Sequence, residues 1–379
     1  MGFVNVARGL RAIGYVEPDP LPAGPVALVT HSGSVFSALL RTRRGFGFSL
    51  AVSSGQELVT TAADYAAVRA AARRDQGARP GPGGDQGRAR AARGAGGRAG
   101  RGRAGGAAQR GRVTGRPGAG LGSLRALAAA DGAWEALVGA YGLHRVRDLA
   151  ELADTLELFA AGRRAAPGTG IATVHDSGLE RAHAADLAAE LSVPFADLAP
   201  ATHTRLAAVL DPGLDPANPL DVWGTGRDTE PLFAECLSAL ADDPAVAAVA
   251  LAVDLVPEFD GDESYPAAVL AAAAGTAKPV AVLAGLPSAV DQAAARPAAR
   301  AAGVPVLEGT RTGLLALRHL LDHAGRPRTS ARPPNPHGPT RRTALPTSGP
   351  ELFGLLREYG IPAVRSRAAA SAGRRPRGG

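Results

Sequence analysis

The chain has 379 residues, of which 45% are apolar and 4% aromatic, so it can bury a core but is poor in large side chains. One cysteine, Cys236, excludes an intramolecular disulfide framework and a multi-cysteine metal site. The apolar run at 245–253 is too short to span a bilayer, and the first residues show no secretory leader. The sequence therefore predicts a cytoplasmic protein with no membrane partner.

The net charge of +7 comes from one segment, residues 69–120. That segment holds thirteen arginines and two acids, so the rest of the chain carries a charge of −4. Its one large apolar side chain, Val113, cannot offset about 1–2 kcal/mol of backbone ordering entropy per residue. We therefore predict that residues 69–120 are disordered. An RNA-binding tail is an alternative, but the segment has no aromatic residue to stack on bases and it interrupts a domain.

Short apolar runs separated by turn residues predict a first α/β unit. A strand at 26–30 (VALVT) is followed by His31-Ser32-Gly33-Ser34 and an apolar helical stretch at 35–40. A second strand is predicted at 48–53, with Ser54-Gly55-Gln56-Glu57 as its exit loop. Order is predicted to resume near residue 121, and residues 133–138 and 148–161 have helical spacing.

From Gly170 onward, predicted strands and helices alternate regularly. Strands are predicted at 171–174, 193–196, 246–253, 278–284 and 304–307, with 218–223 as a strand or a loop. Helices are predicted at 179–191, 200–210, 231–240, 265–274, 289–302 and 312–323. This alternation indicates a parallel sheet with helices on both faces. About five strands in about 155 residues are typical of a flavodoxin-like domain.

The loop between the first predicted strand and helix is a candidate anion site. A helix N-terminus offers free N–H groups and about +0.5 charge, and Gly33 would allow an anion to come close. Ser32 and Ser34 could cap the helix or donate to a phosphate oxygen. An ordinary helix cap without a ligand explains the same residues.

A second strand–turn–helix with the same pattern occurs at Thr173-Val174-His175-Asp176-Ser177-Gly178, which suggests duplicated modules. Asn218 and Asp221 lie near a further strand end, where they could bind a hydroxyl or cap a helix. The acidic stretch at 254–263 is interpreted as a solvated loop. No histidine pair has the spacing of a zinc site, and the single lysine, Lys278, excludes a P-loop.

These motifs, in this order, resemble a known family. The stretches VALVTHSGSVFSALL, GFGFS and VSSGQE resemble the succinyl-CoA-synthetase-like flavodoxin domain of NDP-forming acyl-CoA synthetases, the acetate–CoA ligase family. GIATVHDSGLERAHAADLAAELSVPFADL and NPLDVWGTG resemble the second such domain. Residues 352–367 resemble the opening of an ATP-grasp domain, and residues 1–5 resemble the last turn of a CoA-binding Rossmann domain.

The resemblance implies a domain organisation. Residues 1–23 would be a Rossmann-domain remnant, 24–68 and 121–165 a first flavodoxin-like domain interrupted by 69–120, and 166–325 a second one. Residues 326–348 would be a linker and 349–379 a truncated ATP-grasp start. The predicted fold class is therefore α/β, with tandem flavodoxin-like domains and parallel sheets.

The resemblance also implies a reaction in which a small carboxylic acid, CoA and ATP give acyl-CoA, ADP and phosphate through an acyl phosphate and a phosphohistidine. It implies ATP/ADP with Mg²⁺ and CoA as cofactors or substrates, and either a separate ATP-grasp subunit or a homo-oligomer. Ser32, Gly33, Ser34 and Val35 would bind phosphate, with Ser177 and Gly178 as the second phosphate loop. Gln56, Glu57, Asn218 and Asp221 would support them.

The sequence also departs from the family. The family's phosphohistidine loop would fall within residues 69–120, which contain no histidine. His31 is then the remaining candidate for a phosphoryl acceptor. Residues 69–120 and 368–379 are rich in Ala, Arg, Gly and Pro, as GC-rich codons give when read out of frame, and we hypothesise a frameshift. The chain is expected to be an inactive synthetase fragment, or alternatively a CoA- or nucleotide-binding regulatory subunit.

Overall fold

A computed structural model describes residues 2–14, 21–57, 60–62, 64–66, 106–108, 138, 142–258, 261–325, and 351, 353, 354 and 357. The chain divides into two compact units, Met1–Arg326 and Pro327–Gly379. In the second unit the four described residues are helical. Most of residues 69–120, the linker and residues 368–379 lie outside the described part, so the predictions made for them stay predictions.

The first sheet has four strands in the order β2-β1-β4-β3. They are β1 (Gly2–Asn5), β2 (Leu10–Ala12), β3 (Ala23–Thr30) and β4 (Phe48–Ser53), and helix α1 (Gly33–Leu40) follows β3. Strands β3 and β4 are parallel, as predicted. However, β1 is antiparallel to both β2 and β4, so the expectation of a fully parallel first sheet is wrong.

The antiparallel pairing has a local cause. A single turn at Val6–Arg8 joins β1 to β2, and Gly9 ends it with a φ of +63°. Strands joined by so short a connection pair in opposite directions, whereas parallel neighbours need a long crossover. Residues 2–12, interpreted from the sequence as the remnant of another domain, thus extend the sheet of residues 23–53.

The second sheet has five parallel strands in the order β11-β10-β9-β7-β8. They are β7 (Gly170–His175), β8 (Leu220–Asp221), β9 (Val246–Ala252), β10 (Val280–Ala284) and β11 (Val306–Glu308). If these five strands are numbered 1 to 5 in chain order, their order read from β8 is 2-1-3-4-5, which is the flavodoxin arrangement. Residues 193–196, predicted as a strand, contribute an isolated bridge between Ile171 and Phe195. A short parallel pair, β5 (Gly106–Ala108) and β6 (His144–Val146), lies outside both sheets.

Helices cover the second sheet and fill the space between the sheets. They are α2 (Leu149–Ala160), α3 (Gly178–Leu191), α4 (Pro200–Ala207), α5 (Thr229–Asp242), α6 (Ser264–Gly275), α7 (Ala295–Ala301) and α8 (Thr310–Gly325). Helix α7 begins six residues later than predicted because the Asp291 carboxylate accepts the N–H groups of residues 293–295 in a turn. One apolar core lies on the α5 and α6 face of the sheet, and another lies under α8.

Helix α2 packs against both halves of the unit. Its Leu152 belongs to the core of the first sheet, and its Leu158 belongs to the core under α8. Its Asp154 and Glu157 enter a buried ion-pair cluster with Arg44, Arg296, Arg300 and Glu308. Three arginines meet three carboxylates there, so the cluster is balanced in charge.

The ion-pair cluster connects segments that lie far apart in the sequence. Glu157 accepts hydrogen bonds from Arg300 Nη2 (2.8 Å) and from the Gly45 N–H (3.0 Å). Arg44 Nη1 lies 2.6 Å from Asp154 Oδ1. Burial raises the pKa of Asp154, an effect that the Arg44 charge opposes. The cluster therefore fixes the loop before β4 against α2 and α7.

Candidate functional site

The first candidate site is the N-terminus of α1, at the carboxyl end of β3. Ser32 is the N-cap, and its hydroxyl accepts the Val35 N–H at 3.3 Å. Among the described residues, none accepts the N–H groups of Gly33 and Ser34. A side chain built at Gly33 would meet nothing within 4 Å. The first turn of α1 thus presents two free donors to open space, as an anion site requires.

His31 and Glu57 meet beside this helix end. Because β3 and β4 are parallel, their exit loops lie at the same edge, and His31 Nδ1 is 3.1 Å from Glu57 Oε1. The same carboxylate oxygen accepts the Ser54 hydroxyl at 2.7 Å and the Ala62 N–H at 2.6 Å. Partial burial raises the pKa of Glu57, but these hydrogen bonds and His31 outweigh it and lower the pKa overall. Glu57 is therefore a fixed anion that orients the imidazole.

Other predicted members of this site take different positions. The Val35 N–H is already used by the Ser32 cap, so it is not a free donor. Gln56 is exposed and makes no hydrogen bond to the described residues. The Ser53 hydroxyl, which the sequence did not single out, is buried and has no hydrogen-bond partner in the described part. Ser53 pairs with Gly2 of β1, and a Cβ built on Gly2 would point at Phe36 of α1. Because paired residues of antiparallel strands lie on the same face of the sheet, the Ser53 side chain faces α1.

The second candidate site is the N-terminus of α3, at the carboxyl end of β7. Ser177 is the N-cap and accepts the Glu180 N–H at 3.5 Å. A Cβ at Gly178 would lie 2.9 Å from Asp221 Oδ2, so a carboxylate of the chain itself occupies the space before this helix. Burial, with the charges of Asp254 and Asp221, raises the pKa of Asp176.

These carboxylates oppose a phosphate at Ser177 and Gly178. Burial, then the charges of Asp176 and Asp254, raise the pKa of Glu180 as well. A phosphate would add two negative charges to a group of acids that already repel one another. The two helix ends share a pattern of strand, serine, glycine and helix but differ in electrostatics, because the second one has Asp176 and Glu180 beside it and Asp221 and Asp254 approach from other strands.

Asn218, predicted as a supporting polar group, has a structural role. Its Nδ2 donates to the carbonyl oxygens of Ile171 (2.9 Å) and Ala196 (3.0 Å), and its Oδ1 accepts the Thr173 N–H (3.3 Å). The amide therefore joins β7 to the loop that precedes α4. Both Nδ2 donors and one of the two Oδ1 acceptor positions are used, so one acceptor position remains for a ligand.

His175 is a buried titratable group that the sequence pattern did not mark as a site residue. It is 1% exposed, its Nε2 lies 2.8 Å from the Thr173 hydroxyl, and its Nδ1 has no partner among the described residues. Burial, with the nearby charge of Arg181, lowers the pKa of His175 to about 4. The imidazole is therefore neutral at pH 7.

In the described ranges, no three His, Cys, Asp or Glu side chains are placed to hold a metal ion. A depression at the amino ends of β7 and β9, lined by residues such as Thr169, Pro194 and Asp322, lies at the opposite end of the sheet from the candidate loops. Within the described residues, no helix is long and apolar enough to cross a membrane.

No protein-family model matches the chain. Among curated proteins, trans-feruloyl-CoA synthase FCS1 from an unknown prokaryotic organism is 28% identical over 180 residues. The match covers 46% of this chain and 25% of that protein, so it spans about a quarter of the relative's length.

Among solved structures, PH0766 from Pyrococcus horikoshii OT3 aligns with a TM-score of 0.61 and 17% identity, over 86% of this chain and 70% of that one. The dinucleotide-forming acetyl-coenzyme A synthetase 1 of Candidatus Korarchaeum cryptofilum, in complex with phosphate and ADP, aligns with a TM-score of 0.63 and 18% identity. That alignment covers 85% of this chain and 69% of the synthetase. The chain is thus similar in sequence to an acyl-CoA synthase over 180 residues, and similar in fold to a solved acetyl-CoA synthetase.

These similarities confirm the resemblance found in the sequence, and the α/β fold class with a parallel sheet is confirmed too. The solved synthetase holds phosphate and ADP. Of the residues predicted to bind phosphate here, Ser32, Gly33 and Ser34 have a geometry that suits an anion, and His31 and Glu57 lie beside them.

Proposed function

We propose that this chain is a derivative of an NDP-forming acyl-CoA synthetase that keeps a phosphoryl-binding loop but does not complete the ligase reaction alone. In the full reaction a carboxylic acid, CoA and ATP give acyl-CoA, ADP and phosphate through an acyl phosphate and a phosphohistidine. The observation that carries the proposal is the open N-terminus of α1, with the free N–H groups of Gly33 and Ser34.

The residues of this loop have distinct roles in the proposal. The Gly33 and Ser34 N–H groups donate to phosphoryl oxygens, and the positive end of α1 adds about 1–2 kcal/mol of attraction for a dianion. The exposed Ser34 hydroxyl is a further donor. Ser32 holds the first turn in place through its cap to Val35. Glu57 fixes the imidazole of His31, so that one ring nitrogen remains for the phosphoryl group.

The proposal of an incomplete reaction rests on the sequence. Residues 69–120, where the resemblance places the family's phosphohistidine, contain no histidine. ATP, Mg²⁺, CoA and the acid are therefore assigned to the ancestral reaction. In this chain we assign only the binding of a phosphoryl group.

The test combines a binding measurement with a turnover assay. Isothermal titration of acetyl phosphate into the full chain should show binding. Incubation with ATP, CoA, Mg²⁺ and acetate should release no ADP and leave no acid-labile phosphoprotein. Absence of acetyl phosphate binding would refute the retained loop. ADP release with acid-labile label on His31 would refute the incomplete reaction and make His31 the phosphoryl acceptor.

A further inference from the structure

Exposed apolar side chains are concentrated at the carboxyl ends of the strands of the second sheet, which we call this edge of the sheet. Seven large apolar residues are exposed in the described part of the chain, and four of them follow the carboxyl ends of successive strands. Leu286 follows β10, Val256 follows β9, Leu179 follows β7 and Trp223 follows β8, with exposed fractions of 56%, 37%, 82% and 48%. Neighbouring strands lie about 4.8 Å apart, so this apolar row extends over about 15 Å.

The apolar row is surrounded by carboxylates. The described residues of the segments 176–181, 221–228, 253–263 and 285–294, which carry the row, include nine acidic residues and two arginines. Burial raises the pKa of Asp176, and the nearby charges of Asp254 and Asp221 raise it further. The Tyr265 hydroxyl, which donates to Asp176 Oδ2 at 2.9 Å, relieves only part of this repulsion. A cation placed at this edge would relieve the rest.

We propose that the apolar row is a docking surface for another protein that presents arginine or lysine side chains around apolar anchors. A row of adjacent exposed apolar groups with a polar rim is the usual composition of a protein interface. The acidic rim selects a basic partner and repels nucleic acids and anionic lipid surfaces. The exposed Trp223 ring can also accept a cation on its face.

Two other occupants fit less well. In a two-fold dimer of this chain the acidic rim would face its own copy, because an isologous interface pairs each patch with itself. The chain's own residues 69–120 have the required charge, but Val113 is their one large apolar side chain, so they cannot cover the row. The proposal does not depend on phosphate binding at α1, because α1 packs on the first sheet and the apolar row lies at the second.

The probe is a labelled synthetic peptide of alternating arginine and leucine, titrated into the full chain by fluorescence anisotropy. Leu179→Ser and Trp223→Ala should each weaken binding at least tenfold, and Glu180→Gln should weaken it severalfold. Leu149→Ser changes another exposed leucine, in the first turn of α2, and should leave binding unchanged. A peptide with glutamate in place of arginine should not bind, and added salt should weaken the complex.

Several results would overturn the proposal. Equal weakening by Leu149→Ser, or equal binding of the glutamate peptide, would show non-specific association. A parent chain that sediments as a dimer and becomes monomeric in Leu179→Ser would make a second copy the occupant. Tighter binding by a peptide copied from residues 88–116 than by the arginine–leucine peptide would make the chain's own segment the occupant.

Discussion

Lowering the pH should destabilise the second sheet through His175, the last residue of β7. Its imidazole is 1% exposed and lies beside the Thr173 hydroxyl. Burial and the charge of Arg181 lower its pKa from 6.5 to about 4. Between these values the unfolded chain binds a proton that the folded chain does not accept. The stability from the neutral imidazole is therefore present above pH 6.5 and is lost as the pH falls towards 4.

The size of the effect follows from the two pKa values. Integrating proton uptake between pH 7 and pH 5 gives a loss of about 2 kcal/mol in the free energy of unfolding, and the full loss below pH 4 is about 3 kcal/mol. Such a change is a large fraction of the stability of an ordinary domain.

Urea unfolding of the parent, His175→Gln and His183→Gln at pH 7 and pH 5 measures this loss. Glutamine keeps an amide that can reach the Thr173 hydroxyl but does not titrate. The parent and His183→Gln, which changes an exposed histidine of α3, should lose about 2 kcal/mol more than His175→Gln between the two pH values. Equal pH dependence in all three proteins would refute the buried neutral imidazole.

Three further predictions concern stability and reactivity. Glu157→Gln should lower the free energy of unfolding in urea by about 3–5 kcal/mol, because Arg300 loses one of its two charged partners and the buried cluster is left with a net positive charge. Arg205→Gln, which breaks exposed ion pairs, should lower it by about 1 kcal/mol or less. Asn218→Ala should lower the free energy of unfolding by at least about 2 kcal/mol, since two carbonyls and one N–H lose their hydrogen-bond partner. A smaller loss than that caused by Asn5→Ala would contradict the structural role of Asn218. Burial raises the pKa of Cys236 to about 12, so a thiol reagent should label it in guanidinium and not in the native protein.

The regular elements could be predicted because their patterns are local. The strand predicted at 48–53 has the bounds of β4, and the helix predicted at 179–191 differs from α3 by one residue. Strands β1 and β2 were missed because three or four residues are too few to show a period. The strand predicted at 193–196 has apolar residues, but it follows the end of α3 closely and makes one bridge to Ile171.

Features that depend on distant parts of the chain could not be predicted. The contact of His31 with Glu57 could be anticipated in outline, because the exits of two parallel strands share an edge. The ion-pair cluster joins residues up to 264 positions apart (Arg44 and Glu308). Helix α2 buries Asp154 and Glu157 together with other polar and apolar side chains, so its sequence alone does not mark them as cluster members. Asp221 and Asp254, which approach Ser177, come from other strands, so the local sequence pattern did not show them.

Binding of a phosphoryl group at the N-terminus of α1 can be measured by titrating inorganic phosphate into the parent, Ser34→Asp and Ala150→Asp. Each variant places a carboxylate at the second position of an exposed helix start, in α1 or in α2, where it should not disturb folding. We predict that Ser34→Asp weakens phosphate binding more than tenfold and that Ala150→Asp leaves it unchanged. Equal binding in all three proteins would contradict the account.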